Sequence, residues 1–203
     1  MRVAILASGR GSNFQSIIDA SENNELPNCE IKLLIVNKKE AYAIERAKKH
    51  NIDYHIIESK NKKREDFDKQ IVKVLVKNHI DIIALAGFMR ILSKAFVKKY
   101  KNRIINIHPS LLPSFPGAHA HRDVIKSGAK KSGCTVHFVD EGVDTGPIIL
   151  QKSVTVDKND NEETLAAKIL PLEHLIFPKA LHLLTSQKLD VNKGKVTINC
   201  DKY

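Results

Sequence analysis

Short apolar runs alternate with amphipathic segments along the first hundred residues. The apolar runs lie at 3–7, 31–36, 54–57, 81–86 and 103–107. Between them, apolar residues recur at helical spacing at 14–20, 41–50, 65–79 and 94–100. This alternation predicts a parallel sheet with helices on both faces. The nearly continuous apolar character of the strands agrees with a sheet that is covered on both sides.

The second half of the chain has a different pattern. Segments 134–139 and 147–156 are predicted strands that follow short connections, so this part of the sheet is expected to be antiparallel. A long helix is predicted at 162–184, where Pro171 and Pro178 should each kink it or end a segment. A hairpin is predicted at 189–198. We therefore expect one α/β domain over residues 1–203, with a mostly parallel, Rossmann-like open sheet and an antiparallel C-terminal part.

Composition limits the class of protein. A chain of 203 residues suits one large domain or two small ones, and 42% hydrophobic with 28% charged residues is typical of a soluble globular protein. The N-terminus lacks the features of a signal peptide, and no apolar run is long enough to span a membrane. Cys29, Cys134 and Cys200 are odd in number and dispersed, which predicts neither a disulfide framework nor a cysteine metal site. We expect a cytoplasmic protein.

The net charge of +10 is compatible with nucleic acid, an anionic membrane or anionic small substrates as partners. Only seven of the 33 basic residues are arginine, and the lysines are scattered. The absence of tryptophan and an aromatic content of 5% argue against a surface that stacks on bases. We expect small-molecule partners without nucleic acid or membrane, and we keep a basic nucleic-acid-binding module as the non-enzyme alternative.

A glycine loop, residues 8–13, follows the first strand and precedes a helix. Such a loop brings backbone N–H groups and a helix N-terminus to one place, which makes an anion site. Phe14 stands where a dinucleotide fingerprint would have its third glycine, and the second strand ends in Asn37-Lys38-Lys39 rather than in an acid. NAD is therefore disfavoured and a monophosphate fits better, although an ordinary strand-to-helix turn remains the alternative.

Asn106 and His108 are two residues apart at the end of a predicted strand, so their side chains point to the same face. Ligands bind at the C-terminal ends of strands in open α/β sheets, although a polar strand end in water is the alternative interpretation. The proline-rich loop that follows is expected to be ordered. It ends in His119 and His121, which lack a third metal ligand at a sensible spacing, and in Arg122, which is free to bind a carboxylate or phosphate.

Two later residues add to this pair. His137 lies in the strand 134–139, and Asp144 lies in the acidic glycine-containing loop after it, where an ordinary turn residue is the alternative. No serine or cysteine occupies a nucleophile elbow. The side-chain amide of Asn106 can donate a hydrogen bond to an oxyanion, and one such donor increases the reaction rate by a factor of about 10²–10³. His108 can move protons or stabilise the oxyanion as imidazolium, a form that Asp144 would favour. This set suits direct acyl transfer to an amine through a tetrahedral intermediate.

Five motifs together resemble one enzyme family. They are Gly9-Arg10-Gly11-Ser12-Asn13, Gly87-Phe88-Met89-Arg90-Ile91-Leu92, Asn106-Ile107-His108-Pro109-Ser110-Leu111-Leu112-Pro113, His119-Ala120-His121-Arg122 and Asp144-Thr145-Gly146-Pro147. In this order they resemble the glycinamide ribonucleotide formyltransferases, the folate-dependent formyl transferases of purine synthesis. The Asn-x-His pair with the later Asp is shared by the wider superfamily. The glycine loop and the His-x-His-Arg element are narrower and favour the ribonucleotide enzymes.

The resemblance implies a formyltransferase fold with 10-formyltetrahydrofolate as co-substrate, no metal, and a monomer or homodimer. Residues 1–100 would be the phosphate- and nucleotide-binding half and residues 101–203 the catalytic and folate-binding half. The implied catalytic residues are Asn106, His108 and Asp144, with His137 in support. The residues implied to bind the ribonucleotide are Gly11, Ser12 and Asn13 at its phosphate and Glu173 at its ribose hydroxyls. The residue implied to bind the glutamate tail of the folate is Arg64. The residues implied to bind its pterin are Met89, Arg90, Ile91, Leu92, Asp140, Glu141, Gly142 and Val143.

Sister enzymes of the superfamily are the nearest alternatives. Methionyl-tRNA formyltransferase has an additional C-terminal domain, and formyltetrahydrofolate hydrolase has a regulatory domain ahead of the first strand. This chain begins its first strand at residue 2 and ends about 20 residues after its last long helix, so we expect neither domain. Both sister enzymes also lack the His-x-His-Arg element.

Overall fold

The computed structural model describes residues 1–199, so Cys200 lies outside it. Two sheets and six helices are present in this part of the chain. The strands are β1 (Arg2–Ala7), β2 (Glu30–Val36), β3 (Asp53–Ile56), β4 (Ile82–Leu85), β5 (Ile104–His108), β6 (Lys131–Phe138), β7 (Ile148–Thr155), β8 (Leu189–Asn192) and β9 (Lys195–Ile198). The helices are α1 (Ser12–Glu22), α2 (Ala43–Lys49), α3 (Arg64–Lys77), α4 (Lys94–Lys99), α5 (Ala120–Ser127) and α6 (Glu162–Thr185).

The main sheet has seven strands in the order β3-β2-β1-β4-β5-β6-β7. Strands β1 to β5 pair in parallel, and β6 and β7 join antiparallel. The small hairpin β8-β9 forms a separate antiparallel sheet. This architecture confirms the predicted α/β class, with a mostly parallel open sheet and an antiparallel C-terminal part.

Two hydrophobic clusters cover the two faces of the sheet. Alternate residues of β1 divide between them: Val3 and Ile5 face the cluster that includes α1 and α6, whereas Ala4 and Leu6 face the cluster that includes α3 and α4. Because successive strand residues point to opposite faces, an all-apolar strand requires a helix layer on each side. Burial of both faces explains why the strand sequences are apolar runs rather than alternating patterns.

Helix α6 corrects one expectation. Pro171 and Pro178 lie inside a continuous helix and end no segment of it. Each proline lacks a backbone N–H and crowds the preceding turn, which destabilises a helix interior. Burial of apolar side chains along the whole length of α6 against the sheet offsets that cost; they are Leu165, Ile169, Ile176, Phe177, Ala180 and Leu181. Asn161 caps the first turn by accepting from the N–H groups of Glu163 and Thr164.

The order of strands places three strand exits side by side. The chain runs outward in both directions from β1, so β1, β4 and β5 are consecutive neighbours whose C-terminal ends share one edge. An order reversal of this kind opens a crevice at that edge, where ligands bind. The glycine loop, residues 87–92 and the end of β5 therefore line one rim.

Candidate active site

Four polar side chains meet beyond the end of β5. Antiparallel pairing of β5 with β6 sets Asn106 opposite His137, and Asn106 Nδ2 lies 3.2 Å from His137 Nε2. Asp144 approaches from the loop between β6 and β7. Its Oδ2 lies 3.4 Å from His108 Nδ1, and its Oδ1 lies 3.6 Å from His137 Nε2. The structure thus brings together the four residues that the sequence proposed as catalytic.

Asp144 is held by backbone as well as by side chains. The N–H of Gly117 donates to its Oδ2 at 2.8 Å. Burial alone would raise the pKa of Asp144, but the adjacent His137 ring, the Gly117 N–H and the His108 ring together hold that pKa below its ordinary value. The site therefore contains a carboxylate that stays ionised across the neutral range.

The contacts of His108 favour its doubly protonated form. His108 Nε2 lies 2.9 Å from the carbonyl oxygen of Phe115, and a carbonyl oxygen can only accept, so Nε2 carries a hydrogen. Nδ1 faces the Asp144 carboxylate, which also only accepts when ionised. The ring is almost fully buried, so both nitrogens are satisfied within the protein only when both carry hydrogens. The geometry thus fits an imidazolium beside a carboxylate.

His137 contacts both Asn106 and Asp144. Its Nδ1 donates to the carbonyl oxygen of Phe138 at 2.8 Å, and its Nε2 faces the amide of Asn106 at 3.2 Å and Asp144 Oδ1 at 3.6 Å. The same Asn106 nitrogen lies 3.5 Å from Asp144 Oδ1, at the limit of a hydrogen bond. That weak contact leaves one N–H of Asn106 available to a substrate oxygen.

The proline-rich loop 109–117 is rigidly attached to the sheet. Thr135 Oγ1 donates to the carbonyl oxygen of Ser110 at 2.6 Å and accepts from the N–H of Leu112 at 3.1 Å. Gln151 Nε2 donates to the carbonyl oxygen of Leu112 and to Thr135 Oγ1, both at 2.8 Å. Ser110 Oγ donates to the carbonyl oxygens of Ser114 and Phe115. The loop that contacts both His108 and Asp144 is therefore itself fixed.

The residues expected to hold a phosphate form a second region at the start of α1. Gly11 precedes α1 with φ of 68°, and a Cβ there would lie 2.7 Å from the Cβ of Ala43, so only glycine fits. Asn13 Nδ2 donates to Glu173 Oε2 at 2.7 Å, and both side chains are buried. Burial raises the pKa of Glu173, and the hydrogen bond from Asn13 offsets part of that rise. Ser12, with Gly11 and Asn13, places backbone N–H groups at this helix N-terminus.

Residues 89–92 form a third region beside the second. Met89 is 66% exposed and Ile91 is 53% exposed, whereas Leu92 is buried. The N–H of Met89 donates to Ser8 Oγ at 2.8 Å, and the N–H of Ser8 donates to the carbonyl oxygen of Gly87. Ser8 thereby joins this loop directly to the glycine loop.

Two arginines lie near each other beyond this loop. Arg64 is the first residue of α3 and is exposed, and the guanidinium of Arg90 stacks over the ring of Phe67, one helical turn further along α3. The buried Asp68 Oδ2 accepts from the N–H of Ser93 at 2.6 Å, which anchors the end of loop 87–92 to α3. Arg64 and Arg90 thus both lie at the N-terminal part of α3.

Loop 140–143 contacts the helix that follows residues 89–92. Glu141 Oε2 is 3.5 Å from Lys94 Nζ, which links this loop to the start of α4. Asp140 Oδ1 accepts from the N–H of Gly142 and from Thr145 Oγ1, and Val143 is exposed. The residues expected to hold the pterin therefore come from two loops that are linked through α4.

Comparisons with known proteins place the chain in a family. Residues 1–181 match the family described as "Formyl transferase". The chain belongs to the formyl transferase family. It is 39% identical over 195 residues to phosphoribosylglycinamide formyltransferase of Escherichia coli, covering 96% of this chain and 92% of the relative. It is 47% identical over 193 residues to the trifunctional purine biosynthetic protein adenosine-3 of Chironomus tentans, and spans only 14% of that relative's length.

Solved structures of formyl transferases are closely similar. Glycinamide ribonucleotide transformylase 1 from Symbiobacterium toebii superimposes with a TM-score of 0.95 at 38% identity, covering 98% of this chain and 94% of that one. A formyltetrahydrofolate deformylase from Pseudomonas syringae gives a TM-score of 0.91 at 27% identity, covering 98% of this chain and 65% of that one. The fold is thus shared with both a transferase and a deformylase.

Two other residues singled out from the sequence lie outside these regions. Arg122 is partly exposed, and its Nε contacts Asp123 Oδ1 at 3.3 Å. His121 Nε2 is buried without a hydrogen-bond partner, and burial lowers the pKa of that ring. Within residues 1–199, no group of three or more His, Cys, Asp or Glu side chains could hold a metal ion, and no helix is long and apolar enough to cross a membrane.

The sequence reasoning missed the groups that hold the catalytic side chains. Phe115 contributes the carbonyl oxygen that contacts His108, and Gly117 contributes the N–H that donates to Asp144. Contacts of backbone groups cannot be predicted from a pattern of residue types. Phe115 has a positive φ of 55° without being glycine, which the sequence does not signal. Ser8 was visible as a polar residue at the end of β1, and its position before the glycine loop was the available clue.

Proposed function

We propose that this domain transfers the formyl group of 10-formyltetrahydrofolate to the amine of glycinamide ribonucleotide, a step of de novo purine (IMP) biosynthesis. The observation that carries the proposal is the group of Asn106, His108 and Asp144 at a sheet edge where the glycine loop and residues 87–92 also lie. One region presents a helix N-terminus suited to a phosphate, and the other presents exposed apolar side chains and arginines suited to a folate. The names of the similar proteins from Escherichia coli and Symbiobacterium toebii support the same substrates.

In the proposed reaction the substrate amine attacks the formyl carbon and a tetrahedral intermediate forms. Asn106 Nδ2 donates to the oxyanion, the positive charge of the protonated His108 stabilises it, and Asp144 balances the charge of the imidazolium. A proton then passes from the new ammonium nitrogen to N10 of the folate through this group, and the carbon–N10 bond breaks. The products are formylglycinamide ribonucleotide and tetrahydrofolate. Because protein donors stabilise the oxyanion, we expect no metal requirement.

The remaining expected residues take binding roles in this proposal. Gly11, Ser12 and Asn13 hold the ribonucleotide phosphate, and Glu173 accepts hydrogen bonds from the ribose hydroxyls. Met89, Arg90, Ile91 and Leu92, with Asp140, Glu141, Gly142 and Val143, hold the pterin, and Arg64 meets the glutamate tail. The proposal includes a monomer or homodimer that acts on small molecules in the cytoplasm. It assigns residues 1–100 mainly to the ribonucleotide and residues 101–203 mainly to catalysis and folate.

A formyltetrahydrofolate hydrolase is the second candidate, because the deformylase of Pseudomonas syringae shares the fold. The Asn13–Glu173 pair beside the glycine loop favours the transferase, since a hydrolase needs only water as acceptor. The test is to incubate the purified protein with 10-formyltetrahydrofolate and EDTA, with and without glycinamide ribonucleotide, and to follow both tetrahydrofolate and the formylated product. Tetrahydrofolate release that does not depend on the ribonucleotide would assign the hydrolase.

The basic nucleic-acid-binding module remains the non-enzyme alternative. Binding through the lysine-rich surface would depend steeply on salt. A titration of mixed DNA and RNA at low ionic strength tests it, and the transferase proposal expects no binding there.

A further inference from the structure

Arg46 in α2 contacts both the glycine loop and the first turn of α1. Its Nε donates to the carbonyl oxygen of Arg10 at 2.9 Å, and its Nη1 donates to Gln15 Oε1 at 2.9 Å. The N–H of Ala43, one turn earlier in α2, donates to the carbonyl oxygen of Gly9. Helix α2 therefore holds two successive carbonyl groups of the loop.

These contacts determine where the loop N–H groups point. In a planar trans peptide the C=O and N–H bonds have opposite directions. The bond from Arg46 to the Arg10 carbonyl oxygen therefore turns the N–H of Gly11 away from α2, toward the N-terminus of α1. Within residues 1–199, no protein acceptor is assigned to that N–H. A correctly turned Gly11 N–H is what a phosphate at this helix N-terminus requires.

The guanidinium of Arg46 is itself fixed in place. Gln15 Nε2 donates to Asp19 Oδ1 and faces His50 Nε2, which directs Gln15 Oε1 toward Arg46. The guanidinium also stacks over the ring of Tyr42 at 5.2 Å. It borders a cavity of about 620 Å³ between α1 and α6 that reaches Ser12, the first residue of α1. Its positive charge thus lies near the proposed anion site as well as behind the loop.

We propose that Arg46 is the positioning residue of the phosphate loop: it orients the Arg10–Gly11 peptide and supplies positive charge, and so determines recognition of the substrate phosphate. This inference rests on the proposed function, in which the loop binds the ribonucleotide phosphate. Arg46 has no part in the chemical step, so its removal should change ribonucleotide binding and leave catalysis by the bound complex nearly intact.

The test compares glycinamide ribonucleotide with its phosphate-free riboside as acceptors. For Arg46→Met, we expect kcat/KM for the ribonucleotide to fall about 10- to 100-fold, the effect of one lost charge-assisted hydrogen bond. The same variant should change kcat/KM for the riboside and KM for 10-formyltetrahydrofolate less than about twofold, because neither reports on the phosphate. Arg46→Lys, which keeps the charge and one donor, should restore part of the loss.

Lys49→Met is the matched control, since it removes a positive charge from an exposed position of the same helix. Gln15→Met removes one partner of Arg46 and should give a smaller loss of kcat/KM for the ribonucleotide. This variant replaces Arg46→Met in the test if Arg46→Met does not fold. Equal losses with ribonucleotide and riboside, or no loss with either, would overturn the inference.

Binding of ribose 5-phosphate, measured by calorimetry, separates this inference from the proposed function because it needs no turnover. We expect Arg46→Met to weaken that binding about tenfold or more. If the unaltered protein does not bind ribose 5-phosphate, or if it and Arg46→Met bind it with equal affinity, the proposed role of Arg46 is contradicted. Failure of the unaltered protein to formylate the ribonucleotide would contradict the proposed function instead.

Discussion

The substitution Asp144→Asn tests the charge arrangement of the candidate site with little change of shape. The new amide oxygen can still accept from the N–H of Gly117, so the loop contact is kept. Because the oxygen that accepts from Gly117 is also the one that faces Nδ1 of His108, the ring keeps an acceptor but loses the negative charge that favours its protonated form. The variant would thus weaken the imidazolium that stabilises the oxyanion.

The size of the effect follows from the distances. Asp144 Oδ2 lies 3.4 Å from His108 Nδ1. At an effective dielectric constant of about 20, unit charges at this separation attract by about 5 kcal/mol. The remaining hydrogen bond from His108 Nδ1 to the neutral amide oxygen recovers part of this, so we expect a loss of ~3–4 kcal/mol, or about 10²–10³ in kcat.

Single-turnover formyl transfer with saturating substrates measures this loss without interference from binding. Asp123→Asn, the same change at an exposed acid in α5, should keep kcat within about twofold, as is usual for surface substitutions. Because the pKa of Asp144 is held below its ordinary value, protonation of Asp144 should not reduce kcat of the unaltered protein until below about pH 4. A folded Asp144→Asn protein with kcat within threefold of the unaltered protein would refute the charge-pair reasoning.

Three further predictions concern binding and stability. Glu173→Gln should raise Tm by ~2–4 °C at pH 7, because burial raises the pKa of Glu173 and penalises its ionised form. This gain in Tm should vanish near pH 4, which calorimetry at both pH values checks. The same variant should raise KM for the ribonucleotide about tenfold. Asp68→Ala should release the N–H of Ser93 and raise KM for 10-formyltetrahydrofolate about 5- to 10-fold, with KM for the ribonucleotide unchanged. Steady-state kinetics that show the same increase in both KM values would contradict this prediction. Gly146→Ala should lower stability by ~3 kcal/mol or more in urea unfolding, because a Cβ there would lie 1.8 Å from a carbonyl oxygen of β6, and a change below 1 kcal/mol would contradict it.

Periodicity predicted the main sheet because its strands are buried on both faces. The apolar runs of β1, β2, β4 and β5 have no other stable location than between two helix layers. Periodicity also predicted α6, and the structure excludes only the possibility that Pro171 or Pro178, which both disfavour helix locally, ends a segment there. Tertiary burial along the whole helix outweighs that local preference, and burial is not visible in a local pattern.

Spacing predicted that Asn106 and His108 share a face, and the antiparallel register added His137 opposite Asn106. The approach of Asp144 could not be derived from spacing, since it depends on a loop 38 residues after Asn106 in the chain. The backbone partners Phe115 and Gly117 were invisible for the same reason. Side-chain chemistry can be read from the sequence, whereas the main-chain contacts that orient it require the folded chain.

Loop 109–117 has a consequence for the motion of the site. His108 and Asp144 come from different parts of the chain, yet both contact this loop, at Phe115 and at Gly117. A displacement of the loop would carry the two side chains in the same direction and change their separation little. Loop 109–117 therefore couples the positions of His108 and Asp144 through contacts that lie outside both β5 and β7.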